Sequence, residues 1–91
     1  MSERRHDSVF PGFRDMADRR RALATTFVAA RSELGLSQTE VAARMGTSQS
    51  AVARLESGTA DVRASTLERY AAAVGSQITW KLNRPGEGTS Q

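Results

Sequence analysis

The chain predicts an all-α fold, four helices followed by one short strand, and three observations carry that expectation. Gly35, Gly46, Gly58 and Gly75 each close an apolar-periodic run, where a left-handed residue can end a helix without steric cost. Residues 37–58, SQTEVAARMGTSQSAVARLESG, set Val41, Ala42, Met45, Val52 and Leu55 at helical spacing on either side of Gly46. Beyond Gly75 the period falls to two, with Ile78, Trp80 and Leu82 alternating with Gln77, Thr79 and Lys81.

Taken in order, the first helix is expected from about residue 15 to 34, with Met16, Leu23, Phe27, Ala30 and Leu34 on one face. The second opens at Ser37, whose hydroxyl can cap the chain while Glu40 reaches back, and its body is residues 38–45. The third begins near Thr47 or Ser48 and ends by Ser57. The fourth begins at Ser65, where Ser65 and Glu68 repeat the capping pattern, and Leu67, Ala71 and Val74 point inward. A single strand over residues 76–82 has no partner in its own chain, so a second copy is the simplest one, making Ile78, Trp80 and Leu82 dimerisation residues. The alternative is a segment that folds back on the fourth helix. Residues 1–14 read as a basic arm, 15–75 as the domain, and 83–91, NRPGEGTSQ, as a disordered tail.

Composition narrows the chemistry. With 91 residues and 38% apolar content there is room for one domain of modest core, which dimerisation would help. The absence of cysteine excludes disulfides and thiolate metal sites, and His6 is the only histidine, so no metal, cofactor or enzymatic activity is expected. His6, Asp7 and Ser8 lie together, but in the charged arm, with no pocket implied. No apolar run approaches the roughly 20 residues that span a bilayer, and the first residues are charged rather than signal-like, so no membrane association and a cytoplasmic location are expected. Residues 1–31 carry seven arginines against four carboxylates, whereas residues 32–91 carry six of each sign. The whole excess of +3 therefore lies in the first third, and the arm and first helix are candidates for attracting phosphate, against the plainer reading of a solvated charge run.

The spacing of residues 37–58 is that of a DNA-binding helix-turn-helix. Two short helices crossing steeply need a small residue at their contact, here Ala42, a glycine in the turn, here Gly46, and apolar side chains facing a common core. Two ordinary amphipathic helices of a small bundle would not need to match every one of these positions. Residues 22–75 resemble the Cro/repressor, or Xre-type, helix-turn-helix family, and with the terminal strand and tail the chain is similar to small antitoxins of toxin–antitoxin pairs.

That resemblance implies roles for individual residues. The third helix would dock in the major groove, with Ser48, Gln49, Ser50 and Arg54 facing the bases. Gln49 and Arg54 suit base reading, since glutamine can bridge adenine N6 and N7 and arginine can bridge guanine O6 and N7. Gln38, at the start of the second helix, would clamp a phosphate, as would Ser57, Thr59 and Arg63, while Asp61 stands where the family often has lysine. Arg31 and Glu56 match a paired arginine and glutamate that ties the first helix to the end of the third, and Arg31 is also a candidate phosphate contact. The implied function is a sequence-specific double-stranded DNA-binding repressor acting as a homodimer on a roughly palindromic operator, set in a toxin–antitoxin pair as antitoxin and autorepressor. A stand-alone Xre-type regulator and a protein-interaction adaptor without DNA binding are the alternatives. Phe10 and Phe13, in VFPGF ahead of the first helix, are expected to pack on the domain's own surface or across the dimer; the alternatives are docking into a partner protein, which makes them the candidates for binding a cognate toxin, and disorder.

Overall fold

The computed structural model describes residues 11–82, and within them the architecture is all-helical. Helix α1 spans Pro11–Glu33, α2 Gln38–Met45, α3 Gln49–Glu56 and α4 Ala64–Ala73. The first begins earlier than its apolar pattern predicts, taking in residues 11–14 of the expected arm. Proline at the first helical position explains this, because its fixed φ suits a helix and its missing N–H would be unsatisfied there in any case.

The central pair forms as the spacing requires. Ser37 Oγ accepts from Glu40 N at 3.0 Å and Glu40 Oε1 accepts from Ser37 N at 2.7 Å, so α2 opens on a complete capping box. Gly46, at φ 74°, ends it in the left-handed region. Ser48 then caps α3, its Oγ accepting from Ala51 N at 3.1 Å. Gly58 meets two demands at once: its φ is +74°, and a Cβ there would lie 3.0 Å from Arg21 Cα and 3.2 Å from Ala24 Cβ. The end of α3 can pass this close to α1 because no side chain intervenes.

Val41, Ala42, Met45, Val52 and Leu55 are all buried, joined by Phe27 from α1, by Tyr70 and Ala71 from α4 and by Val74 just past its end. The Phe27 and Tyr70 rings stack with centroids 4.4 Å apart. The inward stripe of α1 is narrower than its sequence suggests. Leu23, Ala24, Phe27 and Ala30 pack inward or border the core, whereas Met16 and Leu34 are exposed. Only the middle of this long helix lies over the other three, so its ends extend beyond the core they would have to cover.

Two expectations are corrected. The capping pattern at Ser65 does not form: α4 starts one residue earlier, with Arg63 in the cap position and no side-chain cap bond. Residues 76–82 form no strand. Ile78 instead packs against the core edge, and Trp80 Nε1 donates to Glu68 on α4. Covering its own core takes the first apolar residue of the segment out of the alternating pattern, and among the described residues no strand lies beside it to complete a ladder. Ile78, Trp80 and Leu82 thus have three different environments, half-buried, half-exposed and fully exposed, rather than one common face. The proposed tail, residues 83–91, lies outside the described residues, as do Phe10 and the remainder of the arm.

Candidate nucleic-acid interface

The surface of α3 opposite Val52 and Leu55 carries the polar residues singled out by the sequence. Ser48, Gln49, Ser50 and Arg54 are all exposed, on a helix whose other face is fixed by buried apolar contacts. Ser48 and Ser50 hydroxyls lie 3.2 Å apart, so the Ser48 side chain serves the cap and its neighbour together. Arg54 engages no acceptor with its guanidinium among the described residues, which leaves the fork available for a planar partner.

Gln49 is oriented from within. Its Nε2 donates to Gln38 Oε1 at 2.5 Å, and Gln38 Nε2 donates in turn to Glu56 Oε1 at 2.9 Å. A glutamine amide can present its oxygen or its nitrogen outward, and this chain of bonds fixes the choice, because the Glu56 carboxylate can only accept. Gln38 therefore connects the start of α2 to both ends of α3. Its amide donates inward and its oxygen receives Gln49, so a phosphate at this position would meet mainly the second N–H of each amide and the backbone at the helix start.

Glu56 anchors the arrangement. Its carboxylate receives Arg31 Nε at 2.7 Å and Arg31 Nη2 at 3.0 Å in a bidentate pair, together with Gln38 and the Tyr70 hydroxyl at 2.5 Å. Burial pushes this carboxyl up, but hydrogen bonds from Arg31, Tyr70 and Gln38 and the charge of Arg31 outweigh it and hold the group below its usual range. For Tyr70, burial and the hydrogen bond to Glu56 act in the same direction and raise the phenol well above its ordinary value. The Glu56 hydrogen bond likewise raises Arg31. Arg31 Nη1 also donates to Leu36 O at 2.9 Å, so all three guanidinium nitrogens are engaged and the side chain is only 16% exposed. This geometry favours the structural role for Arg31 and leaves little of it for a phosphate.

Beside α3 runs a groove of about 320 Å3 lined by Thr47, Ala51, Arg54, Asp61, Arg63 and Thr66. Arg54 and Arg63 thus share one concave surface, with the Asp61 carboxylate on it as well. Ser57 and Thr59 sit at the end of α3, their hydroxyls 3.1 Å apart, with Ser57 Oγ donating to Arg54 O at 2.6 Å. Phe13 is on the first turns of α1, 59% exposed and away from this set in the chain. Tyr70 and Arg44, whose Nη1 donates to Ala73 O at 2.8 Å, are the contributors that the sequence reading passed over. Tyr70 had a signal, since it completes the helical series Leu67, Tyr70, Ala71, Val74. Arg44 had none, because the carbonyl it reaches is 29 residues away.

Among the described residues no group of acidic, histidine or cysteine side chains could hold a metal, and no helix is long and apolar enough to cross a membrane. Two curated relatives are similar to the chain, antitoxin HigA1 from Mycobacterium tuberculosis strain CDC 1551/Oshkosh and from strain ATCC 25618/H37Rv. Each is 38% identical over 79 residues, covering 87% of this chain and 53% of the relative. The chain thus spans about half the length of these relatives. No solved structure matches. A helix-turn-helix family profile matches residues 29–81, more than half of the sequence and the whole of the network around Glu56, so the chain belongs to the Xre-type helix-turn-helix family of DNA-binding regulators.

Proposed function

We propose that this chain is a transcriptional repressor that binds a roughly palindromic operator as a homodimer, and that it is the antitoxin and autorepressor of a toxin–antitoxin pair. The observation that carries the DNA reading is the exposed polar face of α3, with Gln49 held by Gln38 and Arg54 unengaged. Ser48, Gln49, Ser50 and Arg54 face the bases in this reading, and Gln38, Ser57, Thr59 and Arg63 set the register through phosphates. Occupancy of the promoter then blocks transcription. The antitoxin setting is supported by the likeness to the HigA1 antitoxins, and its partner is a toxin protein bound through surface away from α3, with Phe10 and Phe13 as anchors.

Selection from a random duplex library, followed by titration at two salt concentrations, tests the base-reading assignment. Arg54→Ala is expected to cost roughly 1 to 3 kcal/mol on the selected site and to relax preference at one position of each half-site. Equal losses on selected and random DNA would remove Arg54 from the base readers. Co-purification with the product of the adjacent gene tests the setting: Phe10→Ala with Phe13→Ala is expected to weaken that complex while leaving operator binding intact. No complex with any neighbouring product would favour a stand-alone regulator.

A further inference from the structure

We infer that Arg20 is a positioning residue for DNA binding: it draws the Asp61 carboxylate toward α1, away from the phosphate that Arg54 and Arg63 receive. This role rests on the DNA reading above and deepens it. Residues 57–63, which join α3 to α4, separate two surfaces. On one side Arg54, Asp61, Val62, Arg63 and Thr66 line the groove beside α3. On the other, Ala60 and Val62 meet Arg20, Leu23 and Ala24 of α1 around a small apolar cavity. Gly58 lets the connection lie this close, since a Cβ there would stand 3.0 Å from Arg21 Cα. Arg20 thus reaches the connection from behind the groove, and Asp61 is the charge it meets.

The charges give that meeting a consequence. Asp61 shares the groove with the two guanidinium groups that attract a phosphate, and it opposes them. Its side chain is 96% exposed, and Arg20 Nη1 lies 3.9 Å from its Oδ1, within ion-pair range but too long for a hydrogen bond. Arg20 has the capacity to close that gap. Its side chain is 33% exposed, and its Nε is buried without an acceptor among the described residues. A guanidinium covered to that degree, with a donor unspent, gains from a carboxylate that comes nearer. In the free chain the pair contributes little, because water screens it. A duplex over the groove excludes that water and repels Asp61 toward Arg20, so that binding DNA and closing the pair favour each other. Arg20 acts in this way without touching the duplex.

A double-mutant cycle tests this. Kd for the library-selected duplex and for a random duplex is measured over a salt series with the full chain, as wild type, Arg20→Ala, Asp61→Asn and the double variant. Arg20→Ala is expected to weaken both duplexes by about three- to tenfold, because the carboxylate it leaves unheld then faces the phosphate. Asp61→Asn should tighten both. In the Asp61→Asn background, Arg20→Ala should change affinity by less than about twofold and leave the slope of log Kd against log salt unaltered. Equal losses from Arg20→Ala in the two backgrounds, with the salt slope reduced by about one in each, would make Arg20 a direct phosphate contact and overturn the positioning role. An Arg20→Ala loss that Asp61→Asn fails to restore, with helical content reduced in both chains, would overturn it as well, in favour of a part in folding alone. A wild-type chain that binds neither duplex at any salt concentration would overturn the DNA reading itself, and the role of Arg20 with it.

Discussion

Glu56 and Glu68 both accept a hydrogen bond from an aromatic side chain that arrives from later in the sequence, the Tyr70 hydroxyl in one case and the Trp80 indole N–H in the other. The Glu56 side chain is 5% exposed and receives Arg31, Gln38 and Tyr70 together. Glu68 is exposed, and the indole is its one hydrogen-bond donor among the described residues. The comparison separates a hydrogen bond from its value. In water a lost partner is replaced at once, whereas in a dry site the groups left behind keep their desolvation penalty. Glu56 therefore holds three helices and the Gln49 amide in one geometry, while Glu68 pins a segment at the surface.

Removing each carboxylate is the sharpest way to break this contrast. Glu56→Ala leaves the Arg31 guanidinium largely buried without its counter-charge and is expected to cost about 3 to 5 kcal/mol in urea unfolding. A loss no larger than that of Glu68→Ala would show that Glu56 is better solvated than its surroundings indicate. The same carboxylate sets an acid limit. Its pKa in the folded chain lies below the ordinary value of 4.5, so between the two the unfolded chain binds more protons. Its contribution is complete above the ordinary carboxylate range and is lost as pH falls through the depressed value. Urea midpoints measured from neutral pH downward should therefore fall in the wild type, and fall less in Glu56→Gln.

Tyr70→Phe keeps the ring stacked on Phe27 and deletes only the hydroxyl, with an expected loss of about 1.5 to 3 kcal/mol because the acceptor is charged. In a Glu56→Gln background the same change should cost less, and strictly additive losses would uncouple the two groups. The smallest effect belongs to the exposed partner. Glu68→Ala should alter stability by no more than about 1 kcal/mol while changing Trp80 emission as the indole loses its acceptor. A large loss of stability would make the C-terminal segment part of the core rather than a strap across it.

The two S-x-x-E segments show where sequence pattern is sufficient. At Ser37 and Glu40 the pattern follows Gly35 and Leu36, and everything it needs is within four residues, so it closes as expected. At Ser65 and Glu68 the helix has already begun at Ala64, and Glu68 is drawn to Trp80, 12 residues on. Similarly, α1 reads as apolar over its length, but which part of it is buried depends on where α2, α3 and α4 lie beneath it. The polar face of α3 was legible from its spacing. The route Gln49 to Gln38 to Glu56 was not, because it joins residues of two helices through amides that carry no periodic signal.

By itself the sequence determined the four helices, their glycine ends, the apolar set on α2 and α3 and the exposed residues of α3. These follow from local geometry, in which a 3.6-residue period, a cap hydroxyl or a positive φ acts over a few residues. Only the tertiary structure decided that Tyr70 stacks on Phe27 and bonds Glu56, that the guanidinium of Arg31 is turned inward, and that residues 76–82 fold back through Ile78 and Trp80 instead of forming a strand. Each of those outcomes is a competition between partners distant in the sequence, settled by which contact excludes water and which group would otherwise be buried unpaired.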